Sequence, residues 1–568
     1  MELAPALVLA VVGIVAVTRL APRVGVAAPL LLVLLGVLVS FVPGAPSIEI
    51  EPEWILAGIL PPLLYSSAVS MPGMDFRRDF GAIGGLSVVL VVISAVVLGV
   101  FFSKALDLGL AEGIALGAVV SPTDAVATSI TRRLGVSPRL VTVLEGESLL
   151  NDASALVLLR SAIAATAGAV SLWGVFGDFV YAVLVAAVIG VLVGVLNLRV
   201  RSAIPDAAAT TAISFVAPFV AFLPAERLGA SGLVAAVVAG LVTGQGAPRY
   251  LRPQDRIAEE ANWGTVELLL EGAVFLVMGY ELQGLVTDVQ DDEGTALPAL
   301  GFGAAAIVLT LLVRALYVAP LIWSLVKRAA DSDRMKDRLA QMSGSLASGD
   351  AQGPRVERRR QQWAQRVTRG LADIHYLKSR PLRAPEGVVL VWAGMRGAVT
   401  LAAAQSLPAG TERRSLLVLI AFVVAAGSLL VQGGTLPWVV RRLGVGSSGP
   451  APDEPERAQL IQAMSEASLA LLDDPGLARH DGSPYDARVV EGMRRASRRR
   501  SADDAAEEPT AIGDQIRELQ LAIIKAQRET LLRARSDGTF SSGALNGALA
   551  VLDADQISAE LKGGPVGD

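Results

Sequence analysis

The chain contains no cysteine, so disulfides, thiol nucleophiles and thiolate metal sites are all excluded. It has only 2 histidines, His375 and His480, and neither lies in an apolar run. Their scarcity disfavours a membrane-embedded hydrolase with a histidine base and a histidine-ligated metalloprotease. Each is most simply a surface residue. The dipeptide Gly-Lys is absent, which removes a Walker A loop and with it ATP-driven pumping. Charge is also scarce. Only 18% of the 568 residues are Asp, Glu, Lys or Arg, and most of these fall between the apolar runs or after Arg441. The net charge of −5 carries little information, because it averages two unlike regions.

What remains is apolar. Hydrophobic residues make up 52% of the chain, and they cluster in runs of about 20, long enough to cross roughly 30 Å of hydrocarbon as helix. The runs do not alternate as barrel strands do, so helices are the spanning element. We count about thirteen spans, at residues 2–20, 24–42, 53–70, 82–104, 108–132, 138–167, 173–197, 207–224, 229–244, 262–283, 295–326, 384–406 and 414–440. The first run has no basic segment before it and a second span follows at once, which reads as a retained helix rather than a cleaved signal. The expected fold class is an all-α polytopic membrane protein. Residues 1–444 form the transmembrane domain, interrupted by a cytoplasmic insert at 328–383, and residues 445–568 form a cytoplasmic tail.

Basic residues set the expected orientation. Odd-numbered loops hold Arg19 and Arg23, then Arg77 and Arg78, then Arg132, Arg133 and Arg139, then Arg199 and Arg201, then Arg249, Arg252 and Arg256. Even-numbered loops differ: two are acidic, EIEPE at 49–53 and DVQDDEG at 288–294, and their few cations are Lys104, Arg227, Arg413 and Arg414. The N-terminus is therefore expected outside and the C-terminus in the cytoplasm of a cell with this protein in its plasma membrane. Both halves of the span series are alike in character. Spans 1–6 and 8–13 are offset by an odd number, so the halves would be inverted repeats, a common plan among secondary transporters.

An ionised group in hydrocarbon is costly, so charges inside spans mark function. The fifth span reads GAVVSPTDAVATSI at 117–130. Pro122 removes a backbone donor in mid-span, and Ser121, Thr123 and Asp124 surround the break. A bilayer tolerates such a break only within protein or beside a water-filled cavity. The plainer reading is a proline kink with Asp124 as a cap. The sixth span reads VLEGESLLNDASALVLLRSAIAA at 143–165. Ser148 and Asp152 share a face, and Glu147 and Asn151 share the neighbouring one. Their oxygens suit a hard cation such as Na⁺, against the plainer reading of a packing network. In the twelfth span, VLVWAGMRGAVTLAAA at 389–404, glycines flank Arg396 and indicate a locally unwound helix. A buried arginine needs an acceptor, and Glu147 is the expected partner. In the tenth span, Glu267 and Glu271 are one turn apart. Glu271 either lines an ion path or pairs with Arg160 or Arg314, and pairing is the preferred reading.

These segments resemble the monovalent cation:proton antiporter-1 family, the NhaP-type and eukaryotic-like sodium/proton exchangers. The resemblance rests on EGESLLNDASALVL at 145–158, WAGMRGAVTLA at 392–402 and SGLVAAVVAGLVTG at 231–244, supported by LPPLLY at 60–65, FLVMGYEL at 275–282 and TLPWVVRRLG at 435–444. It implies an antiporter fold of the NhaA type with two unwound helices that cross in mid-membrane, here spans 5 and 12. It implies exchange of Na⁺ for H⁺ by alternating access, electroneutral at one for one, with Asp152 as the carboxylate that carries either ion. Asn151 would lie beside it, and Asp124, Thr123 and Ser148 would help hold the Na⁺. Glu147 and Arg396 would form a structural ion pair, while Asp124 and Arg396 neutralise the facing half-helix dipoles. A homodimer is implied, and no cofactor. Two departures stand out. The family's usual Asp-Pro is here Pro122-Thr123-Asp124, and LPPLLY is followed by Ser66 and Ser67 where some relatives carry a glutamate.

The insert at 328–383, with SGSLASGD and RVERRR, reads as a partly disordered segment that either contacts anionic lipid headgroups or is a plain solvated linker. The tail offers amphipathic helices at 456–474 and 513–538 around a charged, flexible RRASRRRSADDAAEEP. It reads as regulatory or dimer-supporting, with no nucleotide, metal or nucleic-acid motif. A K⁺/H⁺ antiporter uses the same ligand types and is the first alternative. A cation channel is the second, disfavoured because it needs a filter of repeated carbonyls or charged rings.

Overall fold

The computed structural model describes residues 3–42, 51–166, 172–347, 354–446, 454–499 and 511–561. Apolar runs with few interior breakers become helices, and no strand is found among the described residues. The chain opens with α1 (Leu3–Val24) and α2 (Ala28–Ser40), joined through Gly25 at φ +73°. Then come α3 (Leu60–Ser70), α4 (Gly73–Gly84), α5 (Leu90–Leu106), α6 (Leu110–Val120), α7 (Val126–Arg133) and α8 (Pro138–Thr166). Wider π-turns lead into α3 at Trp54–Ile59 and join α4 to α5 at Gly85–Val89. Next are α9 (Leu172–Ser202), α10 (Ala207–Arg227), α11 (Gly232–Tyr250), α12 (Pro253–Tyr280), α13 (Leu282–Glu293) and α14 (Leu297–Ala347). The Asp206 carboxylate caps α10 by accepting from the amides of Ala208 and Ala209. Last are α15 (Pro354–Ser379), α16 (Ala384–Trp392), α17 (Ala398–Gln405), α18 (Arg414–Ser428), α19 (Gly434–Leu443), α20 (Glu454–Leu472), α21 (Ala487–Arg499), α22 (Ala511–Asp537) and α23 (Ser542–Leu561).

Among the described residues, 8 helices are long and apolar enough to cross a membrane by length and composition. Ala28–Ser40, Trp54–Ser70 and Leu110–Val120 are apolar but shorter. Two of the expected spans are each divided in the middle: residues 121–125 separate α6 from α7, and residues 393–397 separate α16 from α17.

The chain forms two compact units. The first comprises residues 1–247, 258–327 and 382–447. One of its buried apolar clusters is built largely from α5, α6, α8 and α16–α18, and another from α3, α8, α10 and α11. Helix α8 contributes to both, with Val143 and Leu159 in one and Leu149 and Ala153 in the other. Small residues allow close approach between α5 and α6: a Cβ on Gly117 would fall against the Ala95 carbonyl. Buried bidentate pairs tie further helices together. Arg139 of α8 grips Asp79 of α4, and Arg201 of α9 grips Glu259 of α12 at 2.7 and 2.9 Å.

The second unit comprises residues 248–257, 328–381 and 448–568. Most of the described part of the insert, expected to be partly disordered, is helical. Helix α14 runs for 51 residues to Ala347, and α15 covers Pro354–Ser379. The composition hid this, because Arg, Gln, Ala and Leu are strong helix formers even where charge suggests a linker. The end of SGSLASGD, residues 348–350, lies outside the described residues. DVQDDEG likewise falls largely in a helix, α13, rather than a loop. In the tail, α20 and α22 match the two expected helices, and Gly538 (φ +70°) follows α22 as a left-handed stop. Helices α21 and α23 were not foreseen. The charged stretch expected to be flexible begins inside α21, and its residues 500–509 lie outside the described ones.

One carboxylate organises the packing of α23 in this unit. Asp553 accepts from Arg256, at the start of α12, and from Arg528 of α22 at 2.8 Å. Gln254 donates to Glu560 two turns further along α23. Burial pushes the Asp553 carboxyl above its usual range, against the two arginines that pull it down. Charge-assisted hydrogen bonds contribute about 1.5–3 kcal/mol each. Asp553→Ala should therefore speed amide hydrogen exchange in α23 by about tenfold or more, with α18 unchanged. Unaltered exchange in α23 would show that this contact does not hold the helix.

Candidate ion-binding site

The two breaks meet. Pro122 has no amide to donate, so the helix that began as α6 stops at Val120 and restarts at Val126. The Asp124 amide, freed from helix pairing, donates to the Met395 carbonyl in the other break at 2.8 Å. Arg396 answers the peptide groups on the other side. Its Nε donates to the Val120 carbonyl, at the C-terminal end of α6, at 2.8 Å, and its Nη1 donates to the Gly394 carbonyl. Its own amide donates to Ser428 Oγ at 2.9 Å. The Asp124 carboxylate accepts from the amides of Ala125 and Val126 as α7 begins. Cation and anion thus sit where the dipoles of the half-helices favour them. Both flanking glycines are required by close approach. A Cβ on Gly394 would press on the Arg314 side chain at 2.6 Å, and one on Gly397 would collide with the Asp124 carboxylate.

Thr123 is the hub beside the break. Its hydroxyl donates to Glu147 Oε1 at 3.1 Å and accepts from Asn151 Nδ2 at 2.6 Å, and its carbonyl accepts from the same amide at 3.1 Å. Asn151 is fully buried, with Oδ1 unpaired. Ser148 is buried and donates only to the Glu145 carbonyl within its own helix, at 3.2 Å. Asp152 lies one turn beyond Ser148. It is half-buried and lines a small cavity with Ala118, Pro122, Leu156 and Val399. No ion pair of Asp152 is found among the described residues, and the charge it feels is that of Asp124. One oxygen of Asp124, Oδ2, is also unpaired. The site therefore offers two carboxylates without cationic partners, beside neutral oxygens from Thr123, Asn151 and Ser148.

The partner expected for Glu147 is corrected. Its carboxylate is held by Arg314 of α14, with Nη2 donating to Oε2 at 2.8 Å and Nη1 to Oε1, while Arg314 Nε donates to the Leu390 carbonyl at 2.9 Å. Arg396 lies within electrostatic range of Glu147 but bonds to carbonyls instead. Glu271 has neither arginine expected for it. Arg314 is on Glu147, and Arg160 is on Glu226 at 2.9 Å. Sequence reasoning had singled out Arg314 as a charge within a span but could not place its register against α8.

The family described as sodium/hydrogen exchanger, transmembrane, matches residues 7–442. An uncharacterized Na⁺/H⁺ exchanger of Mycobacterium tuberculosis is 29% identical over 562 residues, covering 96% of this chain and 94% of its own length. The Na⁺/H⁺ antiporter NhaH of Halobacillus aidingensis is 28% identical over 407 residues, 70% of this chain and 85% of its own. Among solved structures, the sodium proton antiporter MjNhaP1 of Methanocaldococcus jannaschii shares the fold, with a TM-score of 0.57 at 17% identity over 79% of this chain and 100% of its own.

Breaking a buried pair strands a charge and typically costs about 3–5 kcal/mol. Arg314→Ala should thus lower the melting temperature of the purified protein sharply, and Arg314→Ala with Glu147→Ala should recover part of the loss. Arg396→Ala, which leaves Glu147 paired, should cost less than Arg314→Ala. The reverse ranking would return the pairing to Arg396.

Proposed function

The chain belongs to the sodium/hydrogen exchanger family, and from that premise we propose how this multi-pass membrane transporter exchanges a cation for H⁺. Asp152 is the carboxylate that carries either ion. Asp124, Thr123, Ser148 and Asn151 complete the Na⁺ site, and the transported ions are the only small molecules the mechanism needs. The observation that carries this reading is the crossing of the two helix breaks. It leaves Asp152 half-buried on a small cavity with no ion pair found among the described residues, while Glu147, Arg314 and Arg396 are engaged. A proton and a cation then compete for one group. Competition is sufficient for obligatory exchange if only loaded forms change access.

Asn151 is neutral, so the pair at 151–152 contributes one titratable carboxylate. One proton per cation and an electroneutral, alternating-access cycle follow. K⁺ in place of Na⁺ would use the same oxygens. The thirteen expected spans, with the N-terminus outside and the C-terminus cytoplasmic in the plasma membrane, complete the proposal, together with a homodimer and a tail that tunes the membrane domain.

Single cysteines can be introduced without background, since the chain has none. Cysteines replacing Ser47, which lies outside the described residues, and Asp291 should label from outside intact cells. Those replacing Ser345 and Ser536 should label only after permeabilisation. External labelling at Ser345 would overturn the orientation.

The exchange itself is tested in proteoliposomes loaded against Na⁺, Li⁺ and K⁺. Asp152→Asn keeps the shape but cannot titrate, so exchange should vanish while the protein stays folded. In the parent, apparent Na⁺ affinity should weaken as pH falls, because H⁺ occupies the same oxygens. An imposed membrane potential should leave the initial rate nearly unchanged. Robust Na⁺-driven H⁺ flux in Asp152→Asn would sink the mechanism. A voltage-dependent parent would overturn only the stoichiometry.

A further inference from the structure

Helix α17 is the second half of a broken span and is only 8 residues long. It starts at Gly397, against the Asp124 carboxylate. Two of its residues reach the ion site: Val399 and Ala403, one turn apart, line the same small cavity as Asp152. Packing specifies the rotation of this helix poorly. Ala402, Ala403 and Ala404 are buried, and alanines present low ridges with little to interlock. Polar contacts at the far end supply what packing lacks. Gln405, the last residue of α17, donates from Nε2 to Glu281 Oε2, at the junction of α12 and α13, at 2.8 Å. Arg414, which opens α18, donates to the carbonyls of Gln405 at 2.6 Å and Leu407 at 2.9 Å. It thereby satisfies carbonyls left over at the end of α17 and places a cation at the negative end of the helix dipole. Gln405 lies about 200° around the helix from Ala403, so Glu281 holds α17 from the side away from the cavity.

We propose that Glu281 is a positioning residue that sets the ion preference of the exchanger: acting through Gln405, it fixes the rotation of α17 and with it the placement of the Val399–Ala403 wall against Asp152. The proposal rests on ion binding at Asp152 as set out above. Cations of one charge and one ligand chemistry are told apart by the room their site leaves them. The side chains of Val399 and Ala403 are apolar, so this wall limits the size of the occupant rather than binding it. A wall free to turn widens a small cavity, and a wider cavity favours larger cations over smaller ones. Arg414 fixes where α17 ends, and the Glu281–Gln405 contact fixes which face it turns to the ion. What Glu281 supplies is an acceptor for Gln405, not a charge felt by the ion.

The test uses the full-length protein in proteoliposomes, with the half-saturating concentrations of Li⁺, Na⁺ and K⁺ as the readout. For any two of these ions that the parent exchanges, Glu281→Ala should raise the half-saturating concentration of the smaller relative to the larger by about fivefold. Maximal rate and melting temperature should stay nearly unchanged. Gln405→Met keeps the volume and removes the donor, so it should produce the same shift. The double variant should go no further, because both changes remove one contact. Glu281→Gln still offers Gln405 an acceptor and should keep the parental preference. An unchanged preference in both Glu281→Ala and Gln405→Met would overturn the proposal, as would a loss of maximal rate together with melting temperature in both, which would make the contact a packing feature. Glu281→Gln behaving like Glu281→Ala would also overturn it, since charge and not the contact would then be the active feature. A parent without exchange would instead sink the reading at Asp152, so the two failures are distinguishable.

Discussion

A helix can be broken inside hydrocarbon only if the peptide groups released by the break find partners, and this constraint governs the centre of the molecule. Residues 121–125 and 393–397 are each outside helix. In lipid their orphaned amides and carbonyls would cost several kcal/mol apiece. The two breaks answer each other: the Asp124 amide meets the Met395 carbonyl, and Arg396 spans to the Val120 carbonyl. Glycine at 394 and 397 follows from that closeness, since side chains there would occupy the space of Arg314 and Asp124. Thr123 can reach both Glu147 and Asn151 only because the chain around it is not helical. A break that looks like a defect in one helix is a binding element once a second break crosses it.

The buried pairs serve a different purpose. Replacing an ion pair with well-packed apolar residues is often neutral or stabilising, whereas removing one partner is strongly destabilising. Glu147–Arg314 therefore does more to fix position than to add net stability. Arg314 also bonds the Leu390 carbonyl, so one guanidinium sets α14, α8 and α16 against one another. The pairs Arg139–Asp79 and Arg201–Glu259 do the same for α4 with α8 and for α9 with α12. Fixing α8 in this way holds Asn151 and Asp152 at the level of the break.

The parts legible in the sequence were those written in local chemistry. Run length located the helices, Pro122 and the Gly394–Arg396–Gly397 triplet located the breaks, and the residue types at 123, 124, 151 and 152 marked the candidate site. What could not be read was register between distant helices. Glu147 was matched with Arg396 and Arg314 with Glu271, and only the packing of α14 against α8 puts Arg314 on Glu147. In the insert and the tail, charge was mistaken for looseness. The residues of α15 are polar and charged, yet they carry good helix propensity over 26 residues.

In the proposed mechanism, the balance of charge at the crossing favours a single exchanged ion. Glu147 and Arg314 cancel as a pair. Arg396 and Asp124 carry opposite charges and face opposite dipoles, so together they also cancel. Asp152 then adds one negative charge, which a proton or a monovalent cation neutralises equally well. Either occupant returns the crossing to neutrality, and the unoccupied form alone bears a net charge. A charged centre is costly to carry through hydrocarbon-lined protein, and a neutral one is not. The rule that only loaded carriers cross therefore need not be imposed by a separate gate. It follows from the electrostatics of a site with one uncompensated carboxylate.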